Sequence, residues 1–228
     1  MNFFNKLTPN ETVFGFIYYV LQLIIIPGIV MAVIMMLPGS TSITIVNFLY
    51  FSMNFVAVLL IFRKFLVANF KSFLAYPWHT LRSAAIGLLI YTVGSTLFSL
   101  VVTALAPDFT NVNDAAILEM VQKHYALMTI GTVFLVPVAE ECFYRGLFFR
   151  NFYDKHPILA YLISSVVFSF AHVLNYVGME SFRTLALCFI QYLPAGFALA
   201  WAYRRSGSIF ASVLIHMTVN QTGMLLMR

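Results

Sequence analysis

Charged residues are scarce in this sequence: Asp, Glu, Lys and Arg make up 9% of its 228 residues, whereas 61% are apolar. A soluble domain carries about 25% charged residues, so this chain has too few polar groups to face water on all sides. Its two cysteines are too few for a disulfide framework. The composition therefore excludes a soluble globular protein, a disordered chain and a small disulfide scaffold. We expect an integral membrane protein with one domain over residues 1–228.

Long apolar runs are what the sequence contains instead. A bilayer core about 30 Å thick requires about 20 apolar residues in a helix. Runs of this kind predict an all-α polytopic bundle with about seven transmembrane spans. The first run is longer than the apolar core of about 7–15 residues in a signal peptide, so we interpret it as a retained span. The approximate limits are 13–37, 44–62, 84–106, 125–150, 158–175, 184–203 and 208–227.

The few charges predict an orientation. The formal charge of +5 would suggest nucleic acid in a soluble domain, but in a membrane chain the cations mark the cytoplasmic side, and we expect no nucleic-acid partner. A cytoplasmic N-terminus places ten of the thirteen cations on or toward the cytoplasm: Lys6, Arg63, Lys64, Lys71, Arg82, Arg145, Arg150, Lys155, Arg204 and Arg205. The outer side then holds Lys123, Arg183 and Arg228 with Asp108, Asp114, Glu119 and Glu180, and the loop 38–42 has no charge.

Residues 65–82 form too short an apolar stretch between polar positions to predict a span. Tyr76 and Trp78 suit the headgroup region of a bilayer. We interpret 65–82 as a cytoplasmic segment that lies on the membrane surface.

Ionisable residues within the predicted spans are the candidates for function, because each costs at least about 2.5–3.5 kcal/mol at the bilayer centre. Glu141 and Arg145 lie four residues apart, with the acid first, which favours an ion pair on one helix face. Glu140 points about 100° away and is left without a local cation. An unpaired membrane carboxylate is a candidate general base. Pro137 removes a backbone hydrogen bond just before Glu140, which predicts a kink in the helix.

Two further spans carry polar residues at a similar depth. Phe168 and His172 are four residues apart, and Ser212, His216 and Asn220 form one helical stripe. At about 1.5 Å per residue, Glu140, His172, His216 and Asn220 all lie roughly 12–22 Å from the predicted cytoplasmic helix ends. Each feature alone is typical of helix packing. Their shared depth predicts that a carboxylate, two imidazoles and an amide converge, as a buried hydrolytic site requires.

The ordered motifs E-E-x-x-x-R (Glu140, Glu141, Arg145), F-x-x-x-H (Phe168, His172) and H-x-x-x-N (His216, Asn220) resemble the CAAX-protease and bacteriocin-processing family of intramembrane proteases. Many bacterial members of that family are called abortive-infection proteins. The resemblance covers about residues 84–227, which we interpret as the motif-bearing core. The first two spans match only as generic membrane helices.

The resemblance implies roles for these residues. Glu140 and His172 would activate a water that attacks the scissile carbonyl, and His216 and Asn220 would donate hydrogen bonds to the oxyanion. Glu141 and Arg145 would hold the motif helix in place, with Phe168 in a supporting position. The implied substrate is a peptide or lipidated peptide: a prenylated protein tail or, in bacteria, a leader, signalling or bacteriocin peptide. The site would open toward the cytoplasm, in a multi-pass protein of a bacterial cytoplasmic membrane.

Alternatives remain at this point. Zinc hydrolases also use histidines and carboxylates, but the H-E-x-x-H spacing is absent, so we expect no metal or other cofactor. A non-catalytic scaffold could instead confer immunity or bind a membrane sensor or a peptide-export partner. A transporter is disfavoured, because we find no inverted repeat or paired broken spans.

Overall fold

The computed structural model describes residues 5–36 and 43–228, and within these ranges the chain is helical. The end of the first predicted span at residue 37 and the loop 38–42 lie outside the described residues. In this part of the chain, seven helices are long and apolar enough to cross a membrane. The prediction of an all-α polytopic bundle is thus confirmed. We number the helices α1 (Pro9–Val20, continuing through a π-helical turn Leu21–Ile25 into Ile26–Met36), α2 (Ile43–Ile61), α3 (Arg63–Ala75), α4 (Pro77–Leu105), α5 (Val112–Lys123), α6 (Tyr125–Tyr153), α7 (Pro157–Leu174), α8 (Phe182–Ser206) and α9 (Ile209–Leu226).

The first helix begins four residues before the predicted start at 13. Thr8 caps it: the Thr8 side chain accepts a hydrogen bond from the Glu11 N–H, and the Glu11 carboxylate accepts one from the Thr8 N–H at 2.8 Å. Pro9 occupies the first helical position, where its missing N–H costs nothing. Glu11 is buried and also accepts the Phe65 N–H at 2.8 Å. Glu11 makes the start of α1 less apolar, so hydropathy does not indicate that the helix begins here. Its carboxylate connects α1 to α3.

The third predicted span also begins too late. Its helix, α4, starts at Pro77 rather than at 84, so residues 77–82 of the predicted surface segment are the first turns of a long helix. The preceding residues form α3, which ends before Tyr76, a residue whose backbone dihedral angles are not helical. Phe70 and Leu74 on α3 are exposed. An exposed apolar face on a short helix is compatible with the predicted position at a membrane surface.

The motif helix α6 is irregular on both sides of its glutamates. A π-helical turn, Ile130–Leu135, precedes a short α-helical stretch, Val136–Glu141, and a second π-helical run, Cys142–Arg150, follows it. Pro137 lies near the start of the α-helical stretch, where the sequence predicts a disturbance. Such π segments inside α-helices are frequent at functional sites.

The helices α4, α7 and α8 pack most extensively, and α9 and α6 complete the bundle around them. Close approach of α7 and α8 depends on Gly196, because a Cβ at this position would lie 2.6 Å from the Ser165 Cα. One buried apolar cluster includes residues from α1, α2 and α3 and from α6 to α9. The motif-bearing spans therefore share a core with the N-terminal helices.

We call the end of the bundle near α3 the α3 end and the opposite end the α5 end. Partly buried polar contacts join the chain segments at the α3 end. The Asn5 carbonyl accepts from Arg150 Nε at 3.2 Å and from the Tyr203 hydroxyl at 3.3 Å. Asp154 pairs with Lys6 and with Arg150, and the hydrogen bond from Lys6 lowers the pKa of this carboxyl. These contacts fasten the N-terminal segment across the ends of α6 and α8.

Candidate active site

A cavity of about 1020 Å³ lies within the bundle, and Glu140, His172, His216 and Asn220 all line it. The structure thus brings together the four side chains that the sequence predicts to converge. The three supporting residues lie behind the cavity wall: Glu141 and Arg145 are fully buried and Phe168 is 3% exposed.

His216 contacts both motif glutamates. Its Nδ1 lies 2.9 Å from Glu141 Oε1, a hydrogen-bond distance, and its Nε2 lies 3.8 Å from Glu140 Oε2. The second separation is too long for a direct hydrogen bond. Glu140 Oε2 is buried and has no hydrogen-bond partner among the described residues. The carboxylate that the sequence leaves without a local cation thus faces an imidazole from α9.

These contacts constrain the position of the proton on His216. A Glu141 carboxylate paired with Arg145 accepts hydrogen bonds only, so the proton between Glu141 and His216 belongs to Nδ1. In the neutral ring, Nε2 would then carry a lone pair and could not donate to an oxyanion. The donor role implied by the family resemblance therefore requires a ring that carries a proton on both nitrogens.

His172 is fixed by its own helix and by a tyrosine of α8. Its Nδ1 lies 2.8 Å from the Phe168 carbonyl oxygen, which can only accept, so Nδ1 carries the proton. The ring stacks on Tyr192 with centroids 4.3 Å apart. In the neutral ring, Nε2 is therefore a free acceptor on a side chain that lines the cavity. The described hydrogen bonds of His172 do not include Glu140, so cooperation between the two requires a water or substrate atom between them.

Asn220 is placed by the irregular backbone of α6. In the π-helical turn the Val136 N–H bonds to the Gly131 carbonyl, so the next donor in this register would be the N–H of residue 137, which proline lacks. The Thr132 carbonyl is left open and accepts a hydrogen bond from Asn220 Nδ2 at 2.7 Å. Pro137 therefore acts through Thr132 to position Asn220, and the second amide N–H of Asn220 remains available to a ligand.

Replacing Pro137 with Ala supplies the missing N–H, which competes with Asn220 for the Thr132 carbonyl. We expect catalytic turnover to fall about fivefold, equivalent to about 1 kcal/mol for one hydrogen bond, with the protein still folded. Peptide hydrolysis under saturating substrate measures the effect. The matched control is Pro157→Ala at the first turn of α7. An unchanged turnover in Pro137→Ala would show that Asn220 does not depend on the proline.

The Glu141–Arg145 pair predicted from the spacing is present, with Arg145 Nε 3.1 Å from Glu141 Oε2. This is an ion-pair contact and not an aligned hydrogen bond, since both atoms have no hydrogen-bond partner by geometry. Arg145 Nη2 donates to the Gly196 carbonyl at 3.2 Å, and the guanidinium lies 4.9 Å from the Phe168 ring centroid. Arg145 thus connects α6 to α7 and α8 directly beneath the cavity.

Polar residues of α5, its N-cap and α8, which sequence spacing did not indicate, also line the cavity. The Tyr192 hydroxyl donates to Asp114 at 3.1 Å and accepts from Asn113 Nδ2 at 3.0 Å, and Asn111 Nδ2 donates to Gln191 at 2.9 Å. Burial raises the pKa of the Asp114 carboxyl. The outer loop gives no apolar signal, although Asn111 is a recognisable helix N-cap.

No group of three His, Cys, Asp or Glu side chains in residues 5–36 and 43–228 is arranged to hold a metal ion. Glu141 is committed to Arg145 and to His216. The donor set therefore does not offer a ready zinc site, and the expectation of a mechanism without metal stays a prediction.

Comparison with known proteins agrees with the motifs. Residues 122–222 match the sequence model of the family described as Type II CAAX prenyl endopeptidase Rce1-like. This segment contains all three motifs. The predicted resemblance to the CAAX-protease family is confirmed.

Two curated relatives are similar over part of the chain. The putative membrane peptidase YdiL of Bacillus subtilis is 31% identical over 109 residues, which are 47% of this chain and 40% of the relative. The UPF0177 protein YxdF of Lactococcus lactis is 29% identical over 89 residues, which are 39% of this chain and 44% of the relative. The aligned segments thus span less than half the length of either relative. No solved structure matches the chain.

Proposed function

We propose that this multi-pass membrane protein, whose motif-bearing segment resembles the Rce1-like CAAX endopeptidases, is an intramembrane endopeptidase of the glutamate type. The observation that carries the proposal is the Glu140 carboxylate. One of its oxygens lies 3.8 Å from His216 and has no hydrogen-bond partner among the described residues, and the side chain shares one cavity with His172 and Asn220. A carboxylate, two imidazoles and an amide in one cavity are the groups that peptide hydrolysis by activated water needs.

In the proposed reaction, Glu140 removes a proton from a water molecule while His172 Nε2 accepts a hydrogen bond from the same water. The water oxygen bonds to the scissile carbonyl carbon, and the carbonyl electron pair moves onto oxygen. The amide N–H of Asn220 and the protonated Nε2 of His216 donate to this oxyanion. Glu140 then returns its proton to the amide nitrogen while the oxyanion re-forms the carbonyl and the C–N bond breaks, which releases an amine and a carboxylic acid. The second proton of the water passes from this acid to the amine, which leaves a carboxylate and an ammonium group.

The proposed substrate is a peptide in contact with the bilayer. A cavity of about 1020 Å³ is at the upper end of the range for ligand pockets and accommodates an extended peptide segment. The candidate substrates are a prenylated protein tail, as the description of the matching family suggests, and a leader, signalling or bacteriocin peptide. A membrane sensor or a peptide-export protein would be the corresponding partner, and we propose the bacterial cytoplasmic membrane as the location.

Hydrolysis by purified protein in liposomes tests the proposal. We expect cleavage of members of a peptide pool that contains prenylated tails and leader peptides, detected by mass spectrometry. In water enriched in ¹⁸O, a single turnover should place one ¹⁸O atom in the new carboxylate. Activity should persist after treatment with a metal chelator.

Other outcomes would identify the alternatives. Activity that is lost with a chelator and restored by zinc would indicate a metalloprotease. A membrane scaffold would cleave no member of the pool in the folded wild type, and its cellular phenotype would persist when Glu140 is replaced with Gln. Either result would contradict the proposed chemistry.

A further inference from the structure

The cavity occupies the half of the bundle that is nearer to the α5 end. Its lining residues come from the part of each helix that is nearer to the α5 end: the range 88–99 of α4, the C-terminal end of α7 from Ala171, and α9 from His216 onward. Helix α5 itself lines the cavity through Asp114 and Ile117. The path from the catalytic residues to water therefore leads toward the α5 end.

The opposite direction is closed by packed polar residues. Beyond the contacts of Asn5 at the α3 end, Asn69 Oδ1 accepts the Ile209 N–H at 2.8 Å and the Asn69 carbonyl accepts the Ser208 hydroxyl at 2.9 Å. Asn69 and Ser208 are fully buried. None of these residues lines the cavity. A peptide cannot reach Glu140 through the α3 end without breaking these contacts.

Charge distinguishes the two ends. With Arg145 set aside as a buried ion pair, nine of the other twelve cations lie at the α3 end: Lys6, Arg63, Lys64, Lys71, Arg82, Arg150, Lys155, Arg204 and Arg205. The α5 end holds Lys123, Arg183 and Arg228, and four of the acidic residues. Because cations mark the cytoplasmic side of membrane proteins, the α3 end is the cytoplasmic end.

We propose that the cavity opens on the non-cytoplasmic face of the membrane. Resting on the proposed peptidase function, this defines the substrate class as a peptide or membrane-protein segment that is exposed outside the cytoplasm, such as a peptide during or after export. A cytoplasmic N-terminus and a cytoplasm-facing site, both predicted from the sequence, exclude each other in this fold. The cation distribution favours the first, so among the candidate substrates the proposed opening selects a leader, signalling or bacteriocin peptide over a cytoplasmic prenylated tail.

Cysteine labelling tests the orientation without any use of catalysis. The native Cys142 and Cys188 are buried, so they contribute little background labelling. Glu119→Cys at the α5 end and Lys71→Cys at the α3 end are a matched pair, since both positions are exposed and charged. Thr222→Cys reports on the cavity, because Thr222 lines it and is exposed.

In cells expressing the full chain, a membrane-impermeant maleimide should label Glu119→Cys and Thr222→Cys at least tenfold faster than Lys71→Cys. In inside-out vesicles the order should reverse. Labelling of Lys71→Cys in intact cells, or of Thr222→Cys only from the cytoplasmic side, would overturn the proposed opening. Neither result would affect the peptidase proposal, which depends on the hydrolysis assay, and gel filtration of each variant in detergent confirms that it is folded.

Discussion

Replacing Glu140 with Gln should reduce peptide hydrolysis about 10²–10⁴-fold, the range typical of a lost general base. Glutamine keeps the size of the side chain and its capacity for hydrogen bonds, but it cannot take a proton from water. Glu140 is partly exposed to the cavity and makes no ion pair with Lys or Arg among the described residues, so the substitution removes only the long contact with His216 Nε2 at 3.8 Å. The turnover rate of reconstituted protein measures the effect.

The matched control is Glu180→Gln, at an exposed position between α7 and α8. We expect this variant to retain wild-type turnover, and both variants to retain the wild-type thermal unfolding temperature within a few degrees. A Glu140→Gln protein that hydrolyses peptide at the wild-type rate would remove Glu140 from the mechanism. A variant that is inactive because it fails to fold would be recognised by its unfolding curve.

Hydropathy predicts which segments span the membrane but not where their helices end. The span predicted at 158–175 corresponds to Pro157–Leu174, and that at 44–62 to Ile43–Ile61. The starts of α1 and α4 were predicted too late because both helices extend beyond the apolar run. A capping box at Thr8 and Glu11 marks the first of these starts in the sequence. Reading caps together with hydropathy would have found it.

The convergence of the candidate site was predictable because the position of a residue along a span determines its depth in the membrane. Residues on three spans at one depth have few alternative positions, and Glu140, His172, His216 and Asn220 do line one cavity. The contacts of His216 with Glu141 and of Asn220 with Thr132 were not predictable. They depend on how α9 is rotated against α6 and on a π-helical register, and neither leaves a periodic signal in one sequence.

The direction in which the cavity opens was likewise beyond sequence spacing. The distance of a residue from one helix end gives its depth in the membrane. It does not show which half of the bundle contains the cavity. The lining of the cavity by α5, including Asp114, and the packed layer around Asn69 are the observations that support the proposed opening.

The second large effect concerns stability. Replacing Arg145 with Met should lower the free energy of unfolding by about 3–5 kcal/mol, because it leaves the fully buried Glu141 carboxylate without its cation. The hydrogen bond to the Gly196 carbonyl and the contact with the Phe168 ring are lost as well. Unfolding by denaturant in mixed micelles measures the change. The same substitution at the exposed Arg63 is the control, and we expect it to change stability by less than about 1 kcal/mol.

A double variant separates the buried charge from the lost packing. In Glu141→Gln combined with Arg145→Met, no buried carboxylate remains unpaired, and His216 Nδ1 can still donate to the glutamine side-chain oxygen. We expect the double variant to be more stable than Arg145→Met alone, because breaking a buried pair costs more than replacing both partners. If the single and double variants were equally unstable, the contribution of Arg145 would lie in its contacts with α7 and α8. If Arg145→Met were as stable as Arg63→Met, the ion pair would not hold the motif helix.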